Sequence, residues 1–245
     1  MSVKDYENRA RFSEKRIIRF QNKVLDFYRK RGRVFPWRNI RDPYAILVSE
    51  VMLQQTQVPR VEIIFKRFLR SFPTLHALAR ASNRDVLLAW RGMGYNSRAL
   101  RLRDAARCIV DRFRVTKLQV TGYSSSKAKP ETCEPLSCHF PMSLEQLTAI
   151  PGIVPYTAAA ILNFAFNIPT PCIDTNIRRI LHRVFFGPEK KDGTFAKGDK
   201  ALLMVARELL EVALHPLYPP NPLSPAFALP ELRTGRPGEK GGARL

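Results

Sequence analysis

The stretch Leu147-Thr148-Ala149-Ile150-Pro151-Gly152-Ile153-Val154-Pro155-Tyr156-Thr157-Ala158 decides the fold. Ser143-Leu144-Glu145-Gln146 just ahead of it resembles a capping box, so a helix starts there and must stop at Pro151-Gly152. A second helix begins near Tyr156 and runs to about Phe166. A turn this tight exposes backbone N–H groups at the start of the second helix. Those groups, together with the helix dipole, bind a phosphate without reading sequence. An ordinary αα-hairpin has the same local pattern, so the neighbouring segments must decide between the two.

Outward in both directions the apolar residues keep helical spacing, and no run alternates at period two for long. Arg16 to Arg29 places Ile17, Phe20, Val24 and Phe27 on one stripe. Asp42-Pro43 reads as an N-cap followed by a first-turn proline, opening a largely buried helix from Tyr44 to Thr56. Pro59 interrupts before Val61 to Phe72, and Pro73-Thr74 opens a short helix. Ala81-Ser82-Asn83 begins another, which Gly92 is placed to terminate after Trp90-Arg91. Arg98 to Phe113 is a strongly basic amphipathic helix. Beyond the hairpin, Asp174 follows a proline break and precedes the stripe Ile177, Ile180, Leu181 and Val184, and a last helix covers about Lys200 to Leu214. The fold class is all-α. Val120 to Phe140, with its Ser-Ser-Ser run, reads as a surface loop. Cys133 and Cys138 lie in it with no second ligand pair nearby, so no metal site is expected there. From Pro216 to Leu245 prolines and glycines replace periodicity, which reads as a disordered or loosely docked tail.

Composition narrows the partner. Hydrophobic residues make up 45% of the 245, enough to build a core. Lysine and arginine number 41 against 21 acids, a net charge of +20. A chain this basic meets a polyanion, because each neutralised phosphate releases counterions, and nucleic acid leads as the partner. No apolar span supports a membrane. Met1 to Arg16 lacks an apolar signal region, and four scattered cysteines fit a reducing compartment, so an intracellular location (cytoplasm or nucleoid) and a monomer are expected.

Further segments carry a specific resemblance. Phe35-Pro36-Trp37-Arg38, Asp42-Pro43-Tyr44, the string Ser49-Glu50-Val51-Met52-Leu53-Gln54-Gln55-Thr56-Gln57, Trp90-Arg91-Gly92-Met93-Gly94-Tyr95, the hairpin and Ile173-Asp174-Thr175-Asn176-Ile177-Arg178-Arg179 occur in this order. Together they resemble the helix–hairpin–helix DNA glycosylases, specifically those that remove adenine mispaired with guanine or 8-oxoguanine. The resemblance covers roughly Ile17 to Gly187 and implies a two-lobed fold with the active-site cleft between the lobes. Residues 29–166 would form one helical domain, ending in the hairpin (about 143–166) and interrupted by the 120–141 loop. Residues 167–215 would form the second lobe, with the helix in 1–28 packed on it and 216–245 as the tail.

Cleavage of a glycosidic bond passes through an oxocarbenium-like sugar while the departing base takes a proton, so two carboxylates on opposite duties suit it. Glu50 lies in an otherwise apolar helix, where burial would keep it protonated near neutrality and ready to donate to an adenine ring nitrogen. A partly exposed glutamate paired with an arginine is the plain alternative. Asp174 would stay ionised and stabilise the sugar; a simple N-cap is its plain alternative, and both roles are compatible. The resemblance further implies that Gln54, Gln55 and Thr56 enter or line the duplex beside the extruded nucleotide. It puts Met93 at a wedge position, where Gly92 and Gly94 let backbone approach DNA and Tyr95 follows. Arg33 and Trp37 match positions that contact and stack on the adenine, although Trp37 also suits a core. Asn176 matches a residue that positions the sugar and Asp174. Tyr156 stands where strand-cutting relatives carry a Schiff-base lysine, which implies base removal without lyase activity.

Two departures from the family pattern stand out. Val154 replaces the usual second glycine of the hairpin after Gly152, which would strain the turn if that position needs a positive φ. No cysteine follows Cys172, so the family's four-cysteine 4Fe–4S cluster is expected to be absent and no other metal or cofactor is implied. The family's oxidised-guanine-checking domain is not matched either, and the tail has the composition of text read out of frame. A truncated or frameshifted relative is the expectation, with a catalytically weak DNA-binding remnant, or a glycosylase for another mismatched or damaged base, as alternative functions.

Overall fold

The computed structural model describes residues 12–38, 40–113 and 140–213, so the 216–245 tail and Cys133 and Cys138 lie outside the described residues. The described residues contain ten α-helices and no strand: α1 (Glu14–Arg31), α2 (Pro43–Leu53), α3 (Val58–Ser71), α4 (Leu75–Arg80), α5 (Asn83–Ala89), α6 (Ser97–Arg112), α7 (Leu144–Thr148), α8 (Pro155–Ala165), α9 (Thr175–Phe185) and α10 (Asp199–Ala213). Their starts follow from side-chain caps. Asp42, Thr74, Ser82, Ser143 and Asp174 each accept a backbone N–H from the first turn they precede. Pro59 falls inside the first turn of α3 instead of interrupting the chain ahead of it, because its missing N–H is an orphan donor there in any case.

Helices α2 to α8 form the larger lobe. At its centre lies α2, apolar all round, with Tyr44 to Ser49, Val51 and Met52 buried, packed against α3, α6 and α8. A helix without a polar face is stable only when enclosed, and α2 is enclosed. Its polar side chains are satisfied inside: the Tyr44 hydroxyl donates to the Phe72 carbonyl (2.7 Å) and Ser49 Oγ to the Ile46 carbonyl (2.8 Å). Several arginines close helix ends from neighbouring elements. Arg67 donates to the carbonyls of Ala89 and Arg91, and Arg107 to those of Ala79 and Ala81. Part of the positive charge therefore holds the fold together.

The second lobe is α1, α9 and α10 around a separate small core of Leu181, Phe185, Leu202, Val205 and Ala206. Phe20 of α1 meets Phe185 edge-on at 5.4 Å, Gln21 Nε2 donates to the Leu209 carbonyl (2.8 Å), and Arg178 pairs with Asp199 in a two-pronged contact. The apolar stripes of this lobe are only half used. Ile17 is buried, but Val24 and Phe27 are 47% and 66% exposed, and on α9 Leu181 is buried while Ile180 and Val184 are exposed. A three-helix lobe has too few layers to cover both sides of each helix.

Between α7 and α8 the hairpin turns at Gly152, the residue with positive φ (+90°), where a Cβ would also come against Arg101. Val154 has φ −82° and ψ 159° as the N-cap of α8, an extended conformation open to any residue. Valine therefore does not strain this turn.

Candidate active site

A cavity of about 850 Å³ opens between the two lobes, within the usual size range of ligand clefts. The first lobe supplies Trp37, Arg38, Glu50, Gln54, Gln55, Tyr156 and Phe164; the second supplies Asp174, Thr175 and Asn176. Glu50 sits on the last turns of α2 between buried Ser49 and Val51, so the enclosed helix carries its carboxyl into the cavity wall. Burial pushes that carboxyl up from 4.5 to about 7; the Arg38 guanidinium pulls the other way, and the Asp174 carboxylate adds to the rise. Arg38, which the sequence reading did not single out, is held over the Phe164 ring at 5.4 Å.

Asp174 is the N-cap of α9, with Oδ1 accepting the Ile177 N–H at 2.5 Å. The cap fixes the carboxylate and points the positive end of the helix at it. Asn163 steers the approach to this cap, because its side chain donates to the Thr170 carbonyl and accepts the Thr170 N–H. Burial raises the Tyr156 hydroxyl, with Glu50 and Asp174 contributing, so the phenol stays neutral at any working pH. The Cys172 thiol is pushed up to about 11 by burial and by the same two carboxylates.

The other sequence-designated residues divide. Trp37 is a core residue that also lines the cavity: it is 7% exposed and stacks on Phe35 at 5.3 Å. Arg33 is not in the lining; its guanidinium lies over Phe35, 5.0 Å from the ring centre. Thr56, Gly94 and Gly152 stand beside the cavity without lining it, whereas Val154 lines it. Met93 is corrected as a protruding wedge: it is 2% exposed and belongs to the first-lobe core. The backbone explains the exchange. Gly92, Gly94 and Tyr95 all have positive φ, which turns Met93 inward and leaves Tyr95 66% exposed on the cavity rim.

Among the described residues the cysteines are Cys108, packed on the first-lobe core, and Cys172, whose raised pKa disfavours the thiolate that metal ligation needs.

Glu50 has a consequence for stability that is open to measurement. The folded chain holds this proton more tightly than the unfolded chain, so stability is lost as pH rises from about 4.5 to about 7. Glu50→Gln removes that loss. Urea unfolding should show the variant gaining ~1–3 kcal/mol relative to the parent between about pH 4 and about pH 8, at roughly 1.4 kcal/mol per pKa unit and discounted for partial exposure. A difference that does not change with pH would mean that Glu50 is not desolvated.

Residues 48–201 match the family described as the HhH-GPD superfamily base excision DNA repair protein. The chain is 37% identical to the adenine DNA glycosylase of Mus musculus over 176 residues, covering 69% of this chain and 30% of that protein. It is 33% identical to the adenine DNA glycosylase of Mycobacterium tuberculosis over 213 residues, covering 86% of this chain and 59% of that one. It thus spans between about a third and three fifths of the length of these relatives. Among solved structures, a thermostable thymine-DNA glycosylase superposes with a TM-score of 0.64 at 24% identity, covering 80% of this chain and 79% of the other. An endonuclease III–DNA complex superposes with a TM-score of 0.59 at 16% identity, covering 89% and 83%. These last two likenesses establish the shared fold, and with the family match they settle the classification: this two-lobed helical chain belongs to the HhH-GPD superfamily of base excision DNA repair proteins.

Proposed function

We propose that this chain is a monofunctional adenine DNA glycosylase, which extrudes adenine mispaired with guanine or 8-oxoguanine from duplex DNA and hydrolyses its glycosidic bond. The observation that carries the reading is the Glu50 carboxyl, buried in the cleft wall with its pKa near 7 and facing a cleft that Asp174 closes from the other lobe. The relatives named adenine DNA glycosylase support the choice of base. Glu50 gives its proton to an adenine ring nitrogen as the bond from the sugar C1′ breaks, and the bond pair leaves with the base. Asp174 stabilises the positive sugar, and Asn176 at the same helix start orients both. Water then adds to C1′ and passes a proton to the Glu50 carboxylate, which restores the acid and leaves an abasic site. Trp37 and Arg38 flank the base, and Gln54, Gln55 and Tyr95 on the rim fill or hold the gap in the duplex.

Tyr156 has no amine for a Schiff base, so the strand is left intact.

A duplex with adenine opposite 8-oxoguanine tests the reading. The expected result is free adenine, strand breaks only after alkali, and no protein–DNA adduct on borohydride reduction. Binding without adenine release would point to the DNA-binding remnant, the reading that the ordinary backbone at Val154 now favours less.

A further inference from the structure

Arg98 is 4% exposed, and its guanidinium is committed to two separate turns. Nη1 donates to the carbonyls of Val51 and Met52, each at 3.2 Å, and to that of Gln54, closing the C-terminal end of α2. Nη2 donates to Thr56 Oγ1 (3.0 Å) and, from the other side, to the carbonyls of Met93 and Gly94 (both 3.4 Å). The Trp90 and Tyr95 rings lie 5.6 and 5.5 Å from the guanidinium carbon. Both turns carry residues with positive φ other than glycine, Gln55 (+54°) and Tyr95 (+48°), and both of these residues are exposed on the cavity rim. Left-handed backbone at such residues persists only where its surroundings hold it. Burying a cation to serve carbonyls that water would otherwise serve also makes sense only if those carbonyls must stay fixed.

We propose that Arg98 is a positioning residue for base extrusion, locking the Gln54–Thr56 turn and the Met93–Tyr95 turn into one rigid wedge. This rests on the reading of the chain as a base-extruding glycosylase. Extrusion breaks stacking and pairing, and the side chains that replace the base must hold the gap against its collapse. A fork with donors on both sides joins the two turns, whereas lysine, with a single nitrogen, reaches only one of them.

The test uses 2-aminopurine at the target position opposite 8-oxoguanine, dark when stacked and bright when extruded, with the full chain in a Glu50→Gln background that blocks release. At saturating protein, adding Arg98→Met should cut the fluorescence rise about tenfold and Arg98→Lys about threefold, the scale of losing one or two charged hydrogen bonds. Affinity for an undamaged duplex should change less than about twofold, since phosphate contacts elsewhere supply it. An undiminished rise at saturation overturns the proposal, even if affinity falls for both duplexes. Should circular dichroism show Arg98→Met unfolded, Arg98→Lys decides alone, and a rise equal to that of arginine overturns the proposal. No rise in the Arg98 parent refutes extrusion and the proposal with it. A full rise in the parent and loss in the variants, with no adenine released by the Glu50 chain, supports Arg98 as the wedge clasp while the glycosylase reading fails.

Discussion

Glu50→Gln is expected to reduce single-turnover adenine release by about three orders of magnitude, within the range that a positioned general acid supplies. Glutamine keeps the shape and one acceptor of the side chain but has no proton to give. The cleft should be undisturbed, because Glu50 is set in place by an enclosed helix and not by a partner bond that the substitution breaks. Binding to the mispaired duplex should therefore persist, since below about pH 7 a neutral amide replaces a carboxyl that is already protonated. The pH profile gives a second, independent reading. With its pKa raised to about 7, Glu50 is protonated in the parent below that value, and the rate should fall roughly tenfold per pH unit above it. Equal release by parent and variant would remove Glu50 from the chemistry. A rate that stays level through about pH 9 would mean that the proton comes from elsewhere.

How far this site was legible in the sequence depends on whether local or tertiary physics set each residue. Caps are local, so the boundaries at Asp42, Thr74, Ser82, Ser143 and Asp174 are written within a few residues of each helix start. Glu50 was legible for the same kind of reason, as the charged residue of an apolar eleven-residue helix. Met93 was not. The family match gives its position in the loop, but the direction of a side chain depends on φ, and three positive φ values around it exchange the places of Met93 and Tyr95. Arg98 is less legible still. In the sequence it is one more arginine in the basic helix, and only the fold brings two turns, separated from each other by nearly forty residues, onto its guanidinium. The half-used stripes of α1 and α9 make the complementary point. Periodicity says which face is apolar, while how much of that face is covered depends on which helices arrive to cover it.

The second large effect should separate the two jobs of Asp174, which in the wild-type chain are inseparable. Asparagine caps a helix start about as well as aspartate, because its side-chain oxygen can accept the same Ile177 N–H. Asp174→Asn should therefore leave α9 in place and change unfolding stability by less than about 1 kcal/mol, the usual worth of a cap. The substitution does remove the negative charge from the side of the cleft where the proposed cleavage takes place. Preorganised electrostatic groups of this kind are worth about 10²–10³ in rate, and a carboxylate able to bond transiently to the sugar is worth more. Adenine release should fall by at least about a hundredfold while the chain remains folded. Glu50 offers an internal check, because the Asp174 charge helps to raise its pKa. The residual activity of Asp174→Asn should then lose its acid form at a lower pH than the parent does. Stability loss in proportion to activity loss would reduce Asp174 to a cap. Full activity in a stable Asp174→Asn chain would show that the positive sugar is stabilised by something other than this carboxylate.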